Sequence, residues 1–309
     1  MEQNRIALWI AQIRAPFLIL PVLLVAIGVA FAHHYSGQNE NFNWIHAGLL
    51  FIGVISSHIS VNLFNEFSDF KTKIDLNTQR TPFSGGSGIV SSGLLSVKAV
   101  KYAAVISLLV AMGIGIFFAL HSHWVIWIFA LIGGLTIIFY TPVLAKLLLG
   151  ELFSGLTLGT MVVLGSYLAM VAQPDMALTS LFPKDVILLS IPPGILTSLL
   201  LLINELPDLE ADQKGGRFHL VIWLGRKGGA YIYAAGMILT FGWVLFWALT
   251  GAISLWFLIA LLPVPLAVKA SLTAILHGNN NKKLVPALGM NVMTVLGTDL
   301  LIAIAVLAM

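Results

Sequence analysis

A chain of 309 residues that is 59% hydrophobic and only 9% charged is not an ordinary soluble domain, in which about a quarter of residues carry charge. Its net charge of +3 comes without any basic patch interleaved with aromatics, which excludes nucleic acid as a partner, and the absence of cysteine excludes disulfides and thiolate metal sites. The composition is that of an integral membrane protein embedded in a lipid bilayer.

Apolar runs of roughly 20 residues, enough to cross about 30 Å of hydrocarbon, predict nine helices. They lie near 15–33, 46–66, 99–120, 123–141, 151–172, 184–204, 230–250, 253–274 and 288–308. The first follows Arg5 and Arg14 and ends at Ala30-Phe31-Ala32, a small-x-small pattern like a signal-peptide cleavage site. Its span length predicts a retained helix instead. The second carries Ser57, His58, Asn62 and Asn65 as a polar stripe, which predicts a face lining a wet cavity. A long polar stretch, 67–98, follows it. The third and fourth helices are joined by a short turn holding His121 and His123, read as interfacial, and Lys146 lies just beyond the fourth. The sixth helix runs into a second long polar stretch, 205–229, opening with "NELPDLEADQKGGR". The last helix buries Asp299 in mid-span, on the same face as Asn291 eight residues earlier. That acid is either a cavity-facing group that orients substrate or a neutral, hydrogen-bonded packing acid.

Basic residues mark the cytoplasmic side of a membrane protein. With nine spans, 15 of the 16 Lys and Arg residues fall on one side, leaving Lys184 alone on the other. The N-terminus and both long loops are therefore expected to be cytoplasmic, with the C-terminus across the membrane.

The two loops hold the acids. Glu66, Asp69, Asp75, Glu205, Asp208, Glu210 and Asp212 make seven of the thirteen in the chain. "NEFSDFKTKID" and "NELPDLEAD" both begin Asn-Glu-x-x-Asp, and both run on into Gly-rich sequence, "RTPFSGGSG" and "KGGR". This echo predicts one domain of two similar halves, about 1–141 and 142–309, facing one cavity.

Residues four apart on a helix are offset by about 40°, so Asn204, Asp208 and Asp212 share a face. Asn65 and Asp69 have the same spacing, whereas Asp75 falls on another face, so the helix is expected to end or bend after Asp69 if Asp75 joins the site. Carboxylates on one stripe near a membrane repel each other until a cation relieves them. Oxygen-only ligands suit Mg²⁺, which takes carboxylates, waters and substrate phosphates. Two such stripes call for two or more divalent ions bridging to a diphosphate, with Arg14, Lys71, Lys73, Arg80, Lys146, Lys214 and Arg217 on the same side to bind remaining oxygens. The competing reading of each stripe alone is a set of helix caps or solvated loop residues.

These motifs resemble those of the UbiA superfamily of intramembrane prenyltransferases, which have nine transmembrane helices and two Asp-rich motifs. They look most like the branch that prenylates 1,4-dihydroxy-2-naphthoate in menaquinone synthesis. The resemblance rests on Asn65, Asp69 and Asp75 with the glycine-rich segment Gly85 to Val90, and on "NELPDLEADQKGGR" followed by "LVIWLGRKGG". It extends through "RAPFLILPVLLVAIG" and "YTPVLAKLLLGE" to essentially the whole chain. It implies an all-α fold of nine transmembrane helices around a cavity open to the cytoplasmic side. It also implies that Asn65, Asp69, Asp75, Asn204, Asp208 and Asp212 carry a Mg²⁺-diphosphate site, with Lys73, Arg80 and Lys146 as diphosphate partners. The chain departs from the pattern at Glu66, where Asp is usual, and at Phe218, His219 and Trp223, where the naphthoate branch has Arg, Thr and Arg.

The chemistry implied is transfer of a polyprenyl group from its diphosphate to an aromatic acceptor. Heterolysis of the allylic C–O bond places negative charge on diphosphate, for Mg²⁺, Lys and Arg to stabilise, and positive charge on the allyl fragment. That cation needs a dry aromatic wall, for which Phe64, Phe67 and Tyr140 are candidates beside the alternative of ordinary packing. Competing expectations are a UbiA-type terpene cyclase, a prenyltransferase for another acceptor, and a cation-coupled transporter.

Overall fold

The computed structural model describes residues 4–36, 42–74 and 78–309; Asp75 lies outside these. Ten helices follow one another, with no strand among the described residues. They are α1 (Arg5–Gln12), α2 (Ala15–Tyr35), α3 (Trp44–Thr72), α4 (Val97–His121), α5 (Val125–Phe139), α6 (Gly150–Val171), α7 (Lys184–Lys214), α8 (Leu220–Leu249), α9 (Leu255–His277) and α10 (Asn281–Leu307). Eight of them are long and apolar enough to span a bilayer. The expected fourth span corresponds to α5, apolar but only 15 residues long.

Side-chain caps set several of the starts. Asn43 accepts the N–H groups of Ile45 and His46 ahead of α3, Ser96 that of Ala99 ahead of α4, and Asn280 that of Lys283 ahead of α10. Successive helices pack side by side from α2 to α10, and α10 closes back on α2. α7 is the most enclosed span. It holds Pro192 and Pro193 in its interior, and each removes a backbone donor. The carbonyl of Leu188, which Pro192 leaves unmatched, accepts instead from the indole N–H of Trp243 on α8 at 2.8 Å. α6 meets α7 through glycines: a Cβ at Gly159 would lie 2.5 Å from the Gly194 Cα. The wider turn at Ser154–Thr160 of α6, a π-helical segment, falls at this contact.

Of the polar stretches expected as loops, 205–229 is largely helical, and 67–98 begins as helix before opening into turns from Lys73 on. α3 continues to Thr72 and α7 to Lys214, while α8 begins at Leu220 and kinks at Gly225, whose φ is 73°. Hydropathy marks where an apolar run stops, but backbone hydrogen bonding continues through polar turns. The consequence is that Asn65, Asp69, Asn204, Asp208 and Asp212 stand on helix rather than on loops.

Candidate active site

The last turns of α3 and α7 bring the two motifs together. α3 stops where Lys73 adopts a left-handed conformation, with φ 61°. α7 stops at a turn in which Gly216, with φ 79°, reverses the chain, so that the N–H of Arg217 reaches the carbonyl of Asp212 at 3.0 Å. The Arg217 guanidinium then spans both motifs. Its Nη2 is 2.5 Å from Asp69 Oδ1 on α3, and its Nη1 is 2.9 Å from Asp212 Oδ1 on α7. Burial by itself would lower the Arg217 pKa, but Asp69 and Asp212 raise it above the ordinary arginine value, so the guanidinium keeps its charge.

Around this bridge lies a polar cavity of about 150 Å³ lined by Asn65, Asp69, Asn204, Asp208, Asp212, Arg14, Arg217 and Tyr140. Arg14 enters from the corner between α1 and α2, where it takes φ 55°, and its Nη2 donates to the carbonyl of Phe83 at 3.0 Å. Asn65 Oδ1 accepts from the hydroxyl of Thr141. The glycine-rich segment folds over the site through Glu66, whose carboxylate accepts from Ser87 N–H at 2.6 Å and Ser87 Oγ at 2.7 Å. Glu66 therefore anchors the covering loop.

The buried oxygens of this cavity without a hydrogen-bond partner include Asn204 Oδ1 and Asp208 Oδ1. Buried polar atoms are normally satisfied. Orphaned oxygens on one helix face, beside Asp69 and Asp212, form a hard, anionic donor set that fits a divalent cation such as Mg²⁺.

A second cavity, about 640 Å³ and mainly apolar, lies between α2–α7 and α10. It shares Arg14, Asn62, Asn65, Tyr140, Leu201 and Asn204 with the polar one, so the two adjoin. Burial is the first cause that raises the Tyr140 hydroxyl pKa, so the group at this junction is a neutral phenol. The remaining polar stripe of α3 also faces the apolar cavity through Ser57 and His58.

Several expected residues stand elsewhere. Lys73, Arg80 and Lys146 are exposed and line neither cavity. Arg80 lies against Gly88 and donates to Ser91 Oγ at 2.8 Å, packing the glycine-rich loop. Phe64 packs into a small cluster with Leu63, Val90 and Val100, and the Phe67 ring carries Lys71 Nζ 4.5 Å from its centroid, so neither forms the cavity wall. Phe17, Phe118, Trp127 and Phe129 join Tyr140 there instead. Their helical spacing within apolar runs carries no signal that separates lining from packing. Asp299 is fully buried and, like Asn291, lines neither cavity. Glu205 and His219, to which the sequence assigns no role, also line the polar cavity, and with Glu151, which stands in neither acidic motif, they form a buried group.

Residues 22–294 match the UbiA prenyltransferase family. The chain belongs to that family. It is 34% identical over 235 residues, 72% of this chain and 70% of the other, to a 1,4-dihydroxy-2-naphthoate octaprenyltransferase of Bacillus subtilis. It is 24% identical over 222 residues, 69% and 68% of the two chains, to the protein of the same name from Haemophilus influenzae. The fold is shared with an apo UbiA homologue from Aeropyrum pernix (TM-score 0.64, 15% identity, 95% of this chain and 98% of that one). It is also shared with an Archaeoglobus fulgidus UbiA homologue bound to GPP and Mg²⁺ (TM-score 0.57, 13% identity, 98% and 100%). This UbiA-family member is thus a prenyltransferase and a multi-pass integral membrane protein.

Proposed function

We propose that the protein transfers a polyprenyl group from an allylic diphosphate to 1,4-dihydroxy-2-naphthoate, in the quinone-forming branch of its family, with Mg²⁺ in the polar cavity. The observation that carries this is an acid-lined polar cavity that adjoins an apolar one across Asn65, Asn204, Arg14 and Tyr140. The two cavities match the two parts of the donor: diphosphate in one and isoprenoid in the other.

In this reading Asn65, Asp69, Asn204, Asp208 and Asp212 hold Mg²⁺, and Asp75 joins them. Bound there, Mg²⁺ supplies charge stabilisation to the departing diphosphate. Arg217 turns from its carboxylates toward the diphosphate oxygens, and Arg14 donates from the opposite wall. As the C–O bond lengthens, positive charge grows on the allyl carbon at the cavity junction, where the Tyr140 ring offers its face. The apolar lining excludes water that would capture this cation. Ser57 and His58, polar groups on the wall of the larger cavity, orient the acceptor hydroxyls. The acceptor ring then forms the new C–C bond and loses its carboxyl as CO₂ and a proton. Lys73, Arg80 and Lys146 act only as outer attractants for the anionic donor.

The molecule works as one domain of two halves, about 1–141 and 142–309, each supplying one motif. Its cavity opens to the cytoplasm, with the N-terminus on that side of a prokaryotic cell membrane and, with α5 counted as a span, nine crossings.

The test is incubation of the purified protein with Mg²⁺, a labelled polyprenyl diphosphate and a panel of aromatic acids, with products read by mass. The expected product is the prenylated, decarboxylated naphthalenediol. Prenylation of a different aromatic acid alone would overturn the acceptor, and a hydrocarbon formed without any acceptor would show a cyclase.

A further inference from the structure

At the edge of the polar cavity, Glu151, Glu205 and His219 form a buried cluster, with Glu205 and His219 lining that cavity beside Asp212. They come from three elements: the first turn of α6, the C-terminal part of α7, and the cap of α8. One ligand atom from each lies within 4.8 Å of the others. Glu151 is 3% exposed, Glu205 7% and His219 3%, and Glu151 Oε2, Glu205 Oε2 and His219 Nε2 have no hydrogen-bond partner. His219 Nδ1 stands 3.4 Å from Glu205 Oε2, and its Nε2 stands 3.3 Å from Asp212 Oδ2.

From this arrangement we infer a second metal position, at the Glu205–His219 edge of the polar cavity, in which Glu151, Glu205 and His219 bind one divalent transition ion of the Mn²⁺, Fe²⁺ or Zn²⁺ type.

Three unsatisfied ligand atoms on nine-tenths buried side chains are costly unless something fills the space between them. Two carboxylates and an imidazole within bonding reach of a common point are such a donor set. The imidazole decides the class of ion. Mg²⁺ prefers oxygen, whereas nitrogen with carboxylate oxygen suits first-row transition ions. His219 Nδ1 accepts the N–H of Ile222 at 3.4 Å as the cap of α8, which leaves Nε2 as the nitrogen that would bind the ion.

The frame holding these ligands is pinned by backbone hydrogen bonds. The N–H of Phe218 reaches the carbonyl of Ala145 at 2.9 Å, and the N–H of Leu148 reaches the carbonyl of Phe218 at 3.0 Å. Glu151 Oε1 accepts the N–H of Leu220 at 2.7 Å, leaving Oε2 for the ion. The ion ties α6, α7 and the start of α8 together, one residue beyond the Arg217–Phe218 turn. His219, a departure from the naphthoate-branch pattern, is then the ligand that creates nitrogen coordination in this chain.

The full-length protein, purified in detergent, stripped with chelator and reloaded with Mn²⁺ in excess Mg²⁺, is read by electron-spin-echo envelope modulation and by metal analysis. The expected result is about one Mn²⁺ per chain carrying nitrogen modulation from a bound imidazole. His219→Ala and Glu151→Gln should weaken retention roughly tenfold or more, while Asp69→Asn and Asp208→Asn keep it. The wild-type spectrum stands even if a variant fails to fold. Mn²⁺ without nitrogen modulation, no Mn²⁺ above the Mg²⁺-competed background, or loss in the Asp208 variant with retention in the His219 variant would each overturn the site. None of these outcomes touches the prenyl-transfer reading, which is decided by product formation with Mg²⁺ alone.

Discussion

Replacing Arg217 with alanine probes the charge balance on which the site is built. In the metal-free protein its guanidinium is shared between Asp69 at 2.5 Å and Asp212 at 2.9 Å, so the variant leaves two facing carboxylates from different helices with no counter-charge between them. Removing one partner of a buried pair costs about 3–5 kcal/mol. The Arg217 side chain keeps 22% of its exposure and Asp69 13%, so solvent screens part of the repulsion and ~2 kcal/mol is the expected loss. For a chain of this size that lowers the melting temperature by roughly 4 °C, read by tryptophan fluorescence in detergent with chelator present. Mg²⁺ with inorganic pyrophosphate should close at least half of that gap, because the ions supply the missing charge. Pairing the change with Asp69→Asn should cost less than the sum of the two single changes, since both act on one interaction. The reasoning fails if the single variant melts with the wild type in chelator, or if Mg²⁺ and pyrophosphate raise both proteins equally.

Asp208→Asn should reduce prenyl transfer by about a hundredfold or more, with the metal-free melting temperature unchanged or raised, because it neutralises an orphaned oxygen without altering shape. Lys146→Ala should change kcat/KM by less than about threefold at physiological salt, because an exposed lysine outside both cavities acts only through a screened field; a hundredfold loss would place it on the diphosphate. Asp299→Asn should retain wild-type turnover, since the fully buried carboxyl lines neither cavity. Gly159→Ala should destabilise the chain by about 1–3 kcal/mol in a thermal melt, because its Cβ meets backbone at 2.5 Å, whereas Gly113→Ala, with open space around it, should not.

The sequence by itself determined the membrane setting, the helix order and the chemical character of the two motifs. Apolar runs of span length have one stable outcome in lipid, and acids four apart on a helix share a face wherever that helix goes. Asn65, Asp69, Asn204, Asp208 and Asp212 were legible on that basis, and the structure gathers them in one cavity. Sequence did not reveal where the helices stop, because α3 and α7 continue past their apolar runs on backbone hydrogen bonds that polar residues sustain equally well. Nor did it sort the cations. Arg217 and Lys146 look alike as basic residues beyond a span, yet the Gly216 turn folds Arg217 onto Asp69 and Asp212 while Lys146 points to solvent. Glu151, Glu205 and His219 are separated by 54 and 14 positions and share no spacing that marks them as a set. Only the packing of α6 on α7, and the backbone bridge from Phe218 to Ala145, bring them within reach of one another. Local periodicity fixes which way a side chain faces on its own helix; which other helix it meets is decided by close packing across the whole bundle.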